Sequence, residues 1–159
     1  LYLILGQTHP VVRRKHGEAY RAGLEKKVRE LGLENNVRFV NKYLTKEEII
    51  LGLKLSDIYM TPYLGRDQAV SGTLAYAVGY GRAVVSTPYL YAKELLADGR
   101  GLLADFRNAG SLSEKISFLI EYPGERQKME EKTLRLGKTM KWDAVADRYV
   151  KMFQEVLKE

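Results

Sequence analysis

Apolar residues fall in short continuous runs separated by stretches with helical spacing. Leu1–Leu5, Val37–Val40, Ile58–Thr61 and Ala83–Ser86 are such runs, and residues 101–104 form a fifth. Runs this short and this apolar predict strands buried on both faces. Between them, Tyr20, Leu24, Val28 and Leu31 recur along one face of a helix expected from about Arg14 to Leu31, ended by Gly32. Thr45 followed by Glu48 is a capping box that starts a helix reaching about Leu55. Further helices are expected around Leu74 and Leu95. This alternation predicts an α/β fold, a three-layer, Rossmann-like, doubly wound parallel sheet.

From Ser111 the pattern turns helix-only. Ser111 and Glu114 read as a second capping box, Pro123 suits a first helical turn, and Val145, Tyr149, Met152, Phe153 and Val156 share one face of a last helix from about Trp142 to Leu157. Residues 1–159 are expected to form a single domain, with 111–159 its all-helical segment.

Composition narrows the function. Apolar residues make up 45% of the 159 and charged residues 29%, ordinary usage for a globular domain. No apolar run approaches a membrane span, and no signal peptide opens the chain. Without cysteine there is no disulfide and no thiolate metal site, which fits a cytoplasmic setting. The net charge of +6 suits a nucleoside diphosphate, an anionic lipid surface met peripherally, or nucleic acid. Spread along the helices rather than gathered in one arm, the basic residues argue against nucleic acid. The chain starts inside a predicted strand and reads as an excerpt of something longer.

In a doubly wound sheet, ligands sit beyond the carboxyl ends of the strands. That rule nominates His9, Tyr43, residues 63–73 and residues 87–89. Within these, Ser71-Gly72-Thr73 opens a helix with small residues, so a ligand can approach its first free N–H groups, a ready anion site. Ser71 also suits an ordinary N-cap, and the two roles are compatible. His9 is either a hydrogen-bond donor to ligand or a loop residue packed beside Pro10; with two histidines in all, no histidine metal cluster is available. Arg13, Arg14 and Lys15 read as a solvated helix start, and the tyrosines at 59, 63, 80, 89 and 91 mainly as packing.

Gly81-Arg82-Ala83-Val84-Val85 resembles the G-x-P-V-V element that closes the nucleotide-sugar site of GT-B glycosyltransferases of the group 1, family 4 type. Counting back from Gly81, Tyr76 and Gln68 occupy the positions where that family carries two glutamates eight apart; the spacing matches and the residue types differ. Gly6-Gln7-Thr8-His9-Pro10, Leu31-Gly32-Leu33 with Val37 and Phe39, and Trp142 are similar to family elements in the same order. The resemblance implies the donor-binding half of an enzyme that transfers a sugar from a nucleoside diphosphate sugar to an acceptor hydroxyl with retention, with no cofactor and no obligatory metal. It implies donor-binding roles for His9, Tyr43 (the base), Gln68 (the sugar), Ser71, Gly72 and Thr73 (the diphosphate) and Tyr76 (the ribose). Gln68 is the one catalytic position it implies; as a neutral amide it can hydrogen-bond but cannot act as a carboxylate. Acceptor binding would fall mainly to a missing N-terminal domain, which would leave the fragment inactive. The family's domain begins one strand and one helix earlier, with that strand lying between those at Leu1 and Ile58, so a gap there, a rearranged sheet or a strand donated by another chain is expected. Two alternatives stay open: a non-catalytic nucleotide-sugar-binding module, and a GT-B sugar epimerase with His9 as its acid–base candidate.

Overall fold

The apolar runs do become strands: β1 (Tyr2–Leu5), β2 (Val37–Val40), β3 (Ile58–Thr61), β4 (Ala83–Ser86) and the shorter β5 (Leu102–Leu103). The computed structural model describes residues 1–158. All ladders are parallel, but the strands form two separate sheets, β1-β2 and β3-β4-β5, so the strands at Leu1 and Ile58 are not paired in one ladder. The chain correspondingly divides into two units, one of residues Leu1–Gly52 and one from Leu53 onward.

In the first unit, β1 pairs with β2 in the register Tyr2–Val37 to Leu5–Val40. The expected burial of β1 on both faces is not met: Leu3 is 43% and Leu5 41% exposed. Its single ladder neighbour is β2, and continuous apolar sequence is buried only where layers exist to cover it. The long helix expected from about Arg14 to Leu31 is two, α1 (Pro10–His16) and α2 (Ala19–Glu30). Gly17 separates them with φ 60°, a conformation that ends a helix and that glycine adopts without strain. The capping box at α3 (Lys46–Leu55) forms as read, with Thr45 N–H donating to Glu48 Oε2 at 3.0 Å and Glu48 N–H to Thr45 Oγ1 at 3.3 Å.

In the second unit β4 is central and wholly buried, flanked by β3 and β5. Ala83 and Val85 point to one side with Ala104, Leu119 and Met129 in a core that Ile58, Leu102, Leu112 and Ile116 complete. The helices are α4 (Gly72–Gly79), α5 (Leu90–Leu95), α6 (Ala109–Glu121), α7 (Pro123–Thr139) and α8 (Trp142–Val156). α6 starts two residues before the predicted Ser111. Asn108 is its N-cap, accepting from Ser111 N–H at 2.9 Å, while the Ser111 hydroxyl accepts from Asp105 N–H. The helix is thus capped a turn earlier, with Asn108 capping the Ser111 N–H, and the second capping box at Ser111 and Glu114 does not form.

α4 is seated against α7 by glycine on both sides. A Cβ built on Gly137 would lie 2.8 Å from Gly79 Cα and 2.8 Å from its carbonyl oxygen, so two backbones touch where no side chain fits. Just past α4, Gly81 has φ 68°, and the N–H groups of Gly81 and Arg82 return to Val78 O and Ala77 O. That paired closure ends the helix and turns the chain into β4.

Candidate functional site

The strand ends beneath the 62–73 loop are tied together by hydroxyls. Thr61 Oγ1 donates to Ser86 Oγ at 2.9 Å, and Ser86 Oγ lies 3.1 Å from the Thr61 carbonyl and 2.9 Å from that of Thr87. Thr61, Ser86 and Thr87 are all buried, where polar groups are tolerated only when paired. Thr87 Oγ1 also donates to the Tyr63 carbonyl. The fully buried Tyr89 places its ring 5.3 Å from that of Tyr63, a packing role as read from sequence. The chain therefore leaves β3 and β4 in fixed directions.

Ser71 is 6% exposed, has extended backbone (φ −148°, ψ 105°), and accepts from Leu74 N–H at 3.3 Å through its hydroxyl. It is a true N-cap. Gly72 and Thr73 follow as the first helical residues, both exposed, and among the described residues their N–H groups have no protein partner. A Cβ on Gly72 would meet nothing within 4 Å. The start of α4 is thus two free donors at the positive end of a helix, facing open space.

Tyrosines frame this start. The Thr73 hydroxyl lies 3.4 Å from that of Tyr63. Burial pushes the Tyr59 phenol up to about 12, against a smaller opposing effect of the Thr73 hydroxyl, so Tyr59 is a neutral group at neutral pH. Tyr76 is 37% exposed, so it is not packed in the core and its phenol is accessible. Gln68 donates from Nε2 to the Val70 carbonyl at 3.1 Å, which curls the amide along its own loop and leaves Oε1 as an acceptor.

His9 and Tyr43 belong to the first unit. His9 is the N-cap of α1, its Nδ1 accepting from Val11 N–H at 3.3 Å, with Pro10 in the first turn. His9 is exposed and caps the helix, a role that neither sequence alternative named, and Nε2 makes no protein hydrogen bond among the described residues. Tyr43 is 79% exposed after β2. Within the same unit, Arg13 pairs with Glu18 at 3.3 Å, and the Thr8 hydroxyl, then Arg21 and Arg13, hold the Glu18 carboxyl below the usual carboxylate range. Glu18 is shared between Arg13 and Arg21, so the trio keeps one net positive charge. Among the described residues no cluster of three or more His, Asp or Glu could hold a metal ion, and no helix is long and apolar enough to cross a membrane.

One contact escaped the sequence reading: Arg66 lies within the nominated 63–73 stretch, but its partner Phe106 does not. Arg66 lies over the Phe106 ring at 4.4 Å from its centroid, and the carbonyls of Arg66 and Gln68 accept from the N–H groups of Leu90 and Tyr91 at the start of α5. Nothing in a lone Arg and a lone Phe forty positions apart signals that they meet.

A family profile described as Glycosyl transferases group 1 matches residues 2–135. No curated protein matches the sequence. Among solved structures, sucrose-phosphate synthase from Thermosynechococcus elongatus superposes with a TM-score of 0.77 at 17% identity, covering 98% of this chain and 38% of that one. HepE from Anabaena, solved in complex with UDP-glucose, gives a TM-score of 0.77 at 18% identity over 96% of this chain and 40% of its own. The C-terminal domain of a group 1 family glycosyl transferase, LpcC from Francisella tularensis, gives 0.73 at 20% identity over 86% and 67%. At such identities the likeness is one of fold. The chain spans about two fifths of the length of the first two structures.

Proposed function

This chain belongs to the group 1 glycosyl transferases and has the Rossmann-like fold of the C-terminal half of a GT-B enzyme, and from that premise we propose that it binds the nucleoside diphosphate sugar. The observation that carries the proposal is the start of α4, where Ser71 caps the helix and the free N–H groups of Gly72 and Thr73 face open space. A diphosphate placed there takes two charge-assisted hydrogen bonds and the favourable end of the helix dipole. As the sugar–phosphate bond breaks, negative charge grows on the leaving diphosphate, and donors already aimed at it stabilise that charge without reorganising.

The other residues have the donor-binding roles that the family resemblance implies, Gln68 and Tyr76 from the second unit beside this anchor, Tyr43 and His9 from the first. Gln68 offers Oε1 to a donor-sugar hydroxyl, and Tyr76 offers one phenol hydrogen bond to the ribose. Tyr43 supplies base contact, and His9, through Nε2, a hydrogen bond to phosphate or sugar. The whole reaction is transfer of the sugar to an acceptor hydroxyl with retention, the acceptor being bound mainly by a domain outside this chain. HepE was solved with UDP-glucose, which makes UDP-sugars the first donors to try. One observation favours a second reading: Gln68 and Tyr76 are neutral where the resembled family carries glutamates, as in a binding module without turnover. A thermal-shift and calorimetric screen of UDP-, GDP- and ADP-sugars tests the first reading, which predicts saturable binding of one nucleotide class; binding of none overturns it. Product analysis of the whole protein then separates transferase from binding module.

A further inference from the structure

The loop that carries Gln68 runs over the surface from Pro62 to Val70, and most of it faces water. An exposed loop of this kind is mobile unless something outside it holds it. Its first residues are held at Tyr63 by the Thr87 hydroxyl and the Tyr89 ring. Around Gln68 two backbone bonds do so: Leu90 N–H donates to Arg66 O at 3.0 Å and Tyr91 N–H to Gln68 O at 3.2 Å. α5 has no side-chain cap at its start, so the loop carbonyls themselves satisfy its orphan donors. The third tether is a side chain. Arg66 lies over Phe106, 4.4 Å from the ring centroid, and makes no ion pair among the described residues although Asp67 is its neighbour. Phe106 is half-buried, three residues after the end of β5.

We propose that Arg66, stacked on Phe106, is a positioning residue that holds the 62–70 loop on α5 so that Gln68 meets the donor sugar. The inference rests on the donor-binding reading above and adds to it which residues set the sugar contact apart from the diphosphate contact. The division follows from the tethers. The diphosphate anchor at Gly72 and Thr73 belongs to α4, which is seated on α7. The sugar contact at Gln68 belongs to the loop, which is seated on α5 and Phe106. Freeing Arg66 loosens the second seat and leaves the first in place.

The test uses the whole protein and four variants: Arg66→Ala, Phe106→Leu, their double, and Phe106→Tyr. Calorimetry with UDP, UDP-glucose, GDP and GDP-mannose gives, for each base, the affinity the sugar adds to the bare nucleotide. Amide hydrogen exchange at Leu90 and Tyr91, without ligand, reports the loop tether directly. Arg66→Ala and Phe106→Leu are each expected to reduce the sugar's increment about five-fold, the size of one exposed cation–π contact, with bare-nucleotide affinity unchanged and faster exchange at both amides. The double variant should match either single, since both remove one contact. Phe106→Tyr keeps an aromatic face and should retain the parent values. Unchanged exchange and increment in the two single variants overturn the positioning role alone. Loss of bare-nucleotide affinity in Arg66→Ala with none in Phe106→Leu also overturns it, making Arg66 a phosphate ligand instead. A parent protein that binds none of the four probes overturns the donor-binding reading and the role of Arg66 with it.

Discussion

Replacing Gly72 by valine separates binding from folding. Gly72 is the first residue of α4 and has ordinary helical backbone, so a side chain introduces no strain there. Its Cβ would meet no protein atom within 4 Å, so there is no clash to relieve. Valine is no worse a helix former than glycine, which places the folding effect within about 0.5 kcal/mol of zero. Binding responds differently. A helical Cβ leans toward the N-terminus, so the valine methyls stand where an anion must approach the N–H groups of Gly72 and Thr73. Each hydrogen bond to a charged group is worth about 1.5–3 kcal/mol, so losing both costs at least about 3 kcal/mol, roughly a 150-fold rise in Kd. Calorimetric titration with UDP and GDP measures this, with circular dichroism as the folding control. A folded Gly72→Val protein that binds either nucleotide as tightly as the parent refutes the placement of the diphosphate at α4.

Other expectations follow from the same geometry. Gln68→Ala should weaken a nucleotide sugar by about 0.5–1.5 kcal/mol and leave the bare nucleotide unchanged, as judged by paired titrations; equal losses for both ligands would remove Gln68 from the sugar. Gly137→Ala brings a methyl within 2.8 Å of the Gly79 backbone, and overpacking of this kind costs about 1–3 kcal/mol, more than alanine's better helix propensity returns, so urea unfolding should shift to a lower midpoint. Tyr59, raised by burial to about 12, favours the folded state while it is neutral. Its contribution is full below the unfolded phenol value near 10 and is lost as pH rises toward 12, so Tyr59→Phe should flatten stability against pH in that window, and identical profiles would contradict the assignment.

What the sequence disclosed and what it concealed divide along the range of the interactions. β4 was legible because Ala83–Ser86 is apolar and fully covered, and Thr45 with Glu48 because both halves of a capping box lie within one turn. Ser71 and Gly72 were legible for the same local reason. The start of α6 was not, since Asn108 and Ser111 are both competent caps and only the path from Asp105 decides between them. The break at Gly17 was missed because the apolar positions that mark the helix, Tyr20 to Leu31, all follow it, and residues 14–16 are polar and carry no period of their own. β1 has the composition of a covered strand and lies exposed, since coverage is a property of neighbouring layers and not of the run itself. The Arg66–Phe106 stack is wholly tertiary and leaves no local mark.

The bare contact between Gly79 and Gly137 has a consequence for how such a site can diverge. Any side chain on Gly137 would enter the Gly79 backbone, whereas a Cβ on Gly79 would meet nothing within 4 Å, so gradual adjustment is closed off on the α7 side of the seam. The seat of α4 is in that sense a mechanical stop, inherited whole or broken. The loop above it is the opposite kind of material. Leu64, Arg66, Asp67, Ala69 and Val70 face water, where most replacements change stability by less than about 0.5 kcal/mol. Variation in donor choice among chains built on this seam should therefore accumulate in residues 64–70, and a library aimed at a new sugar would be drawn there while Gly137 is left untouched.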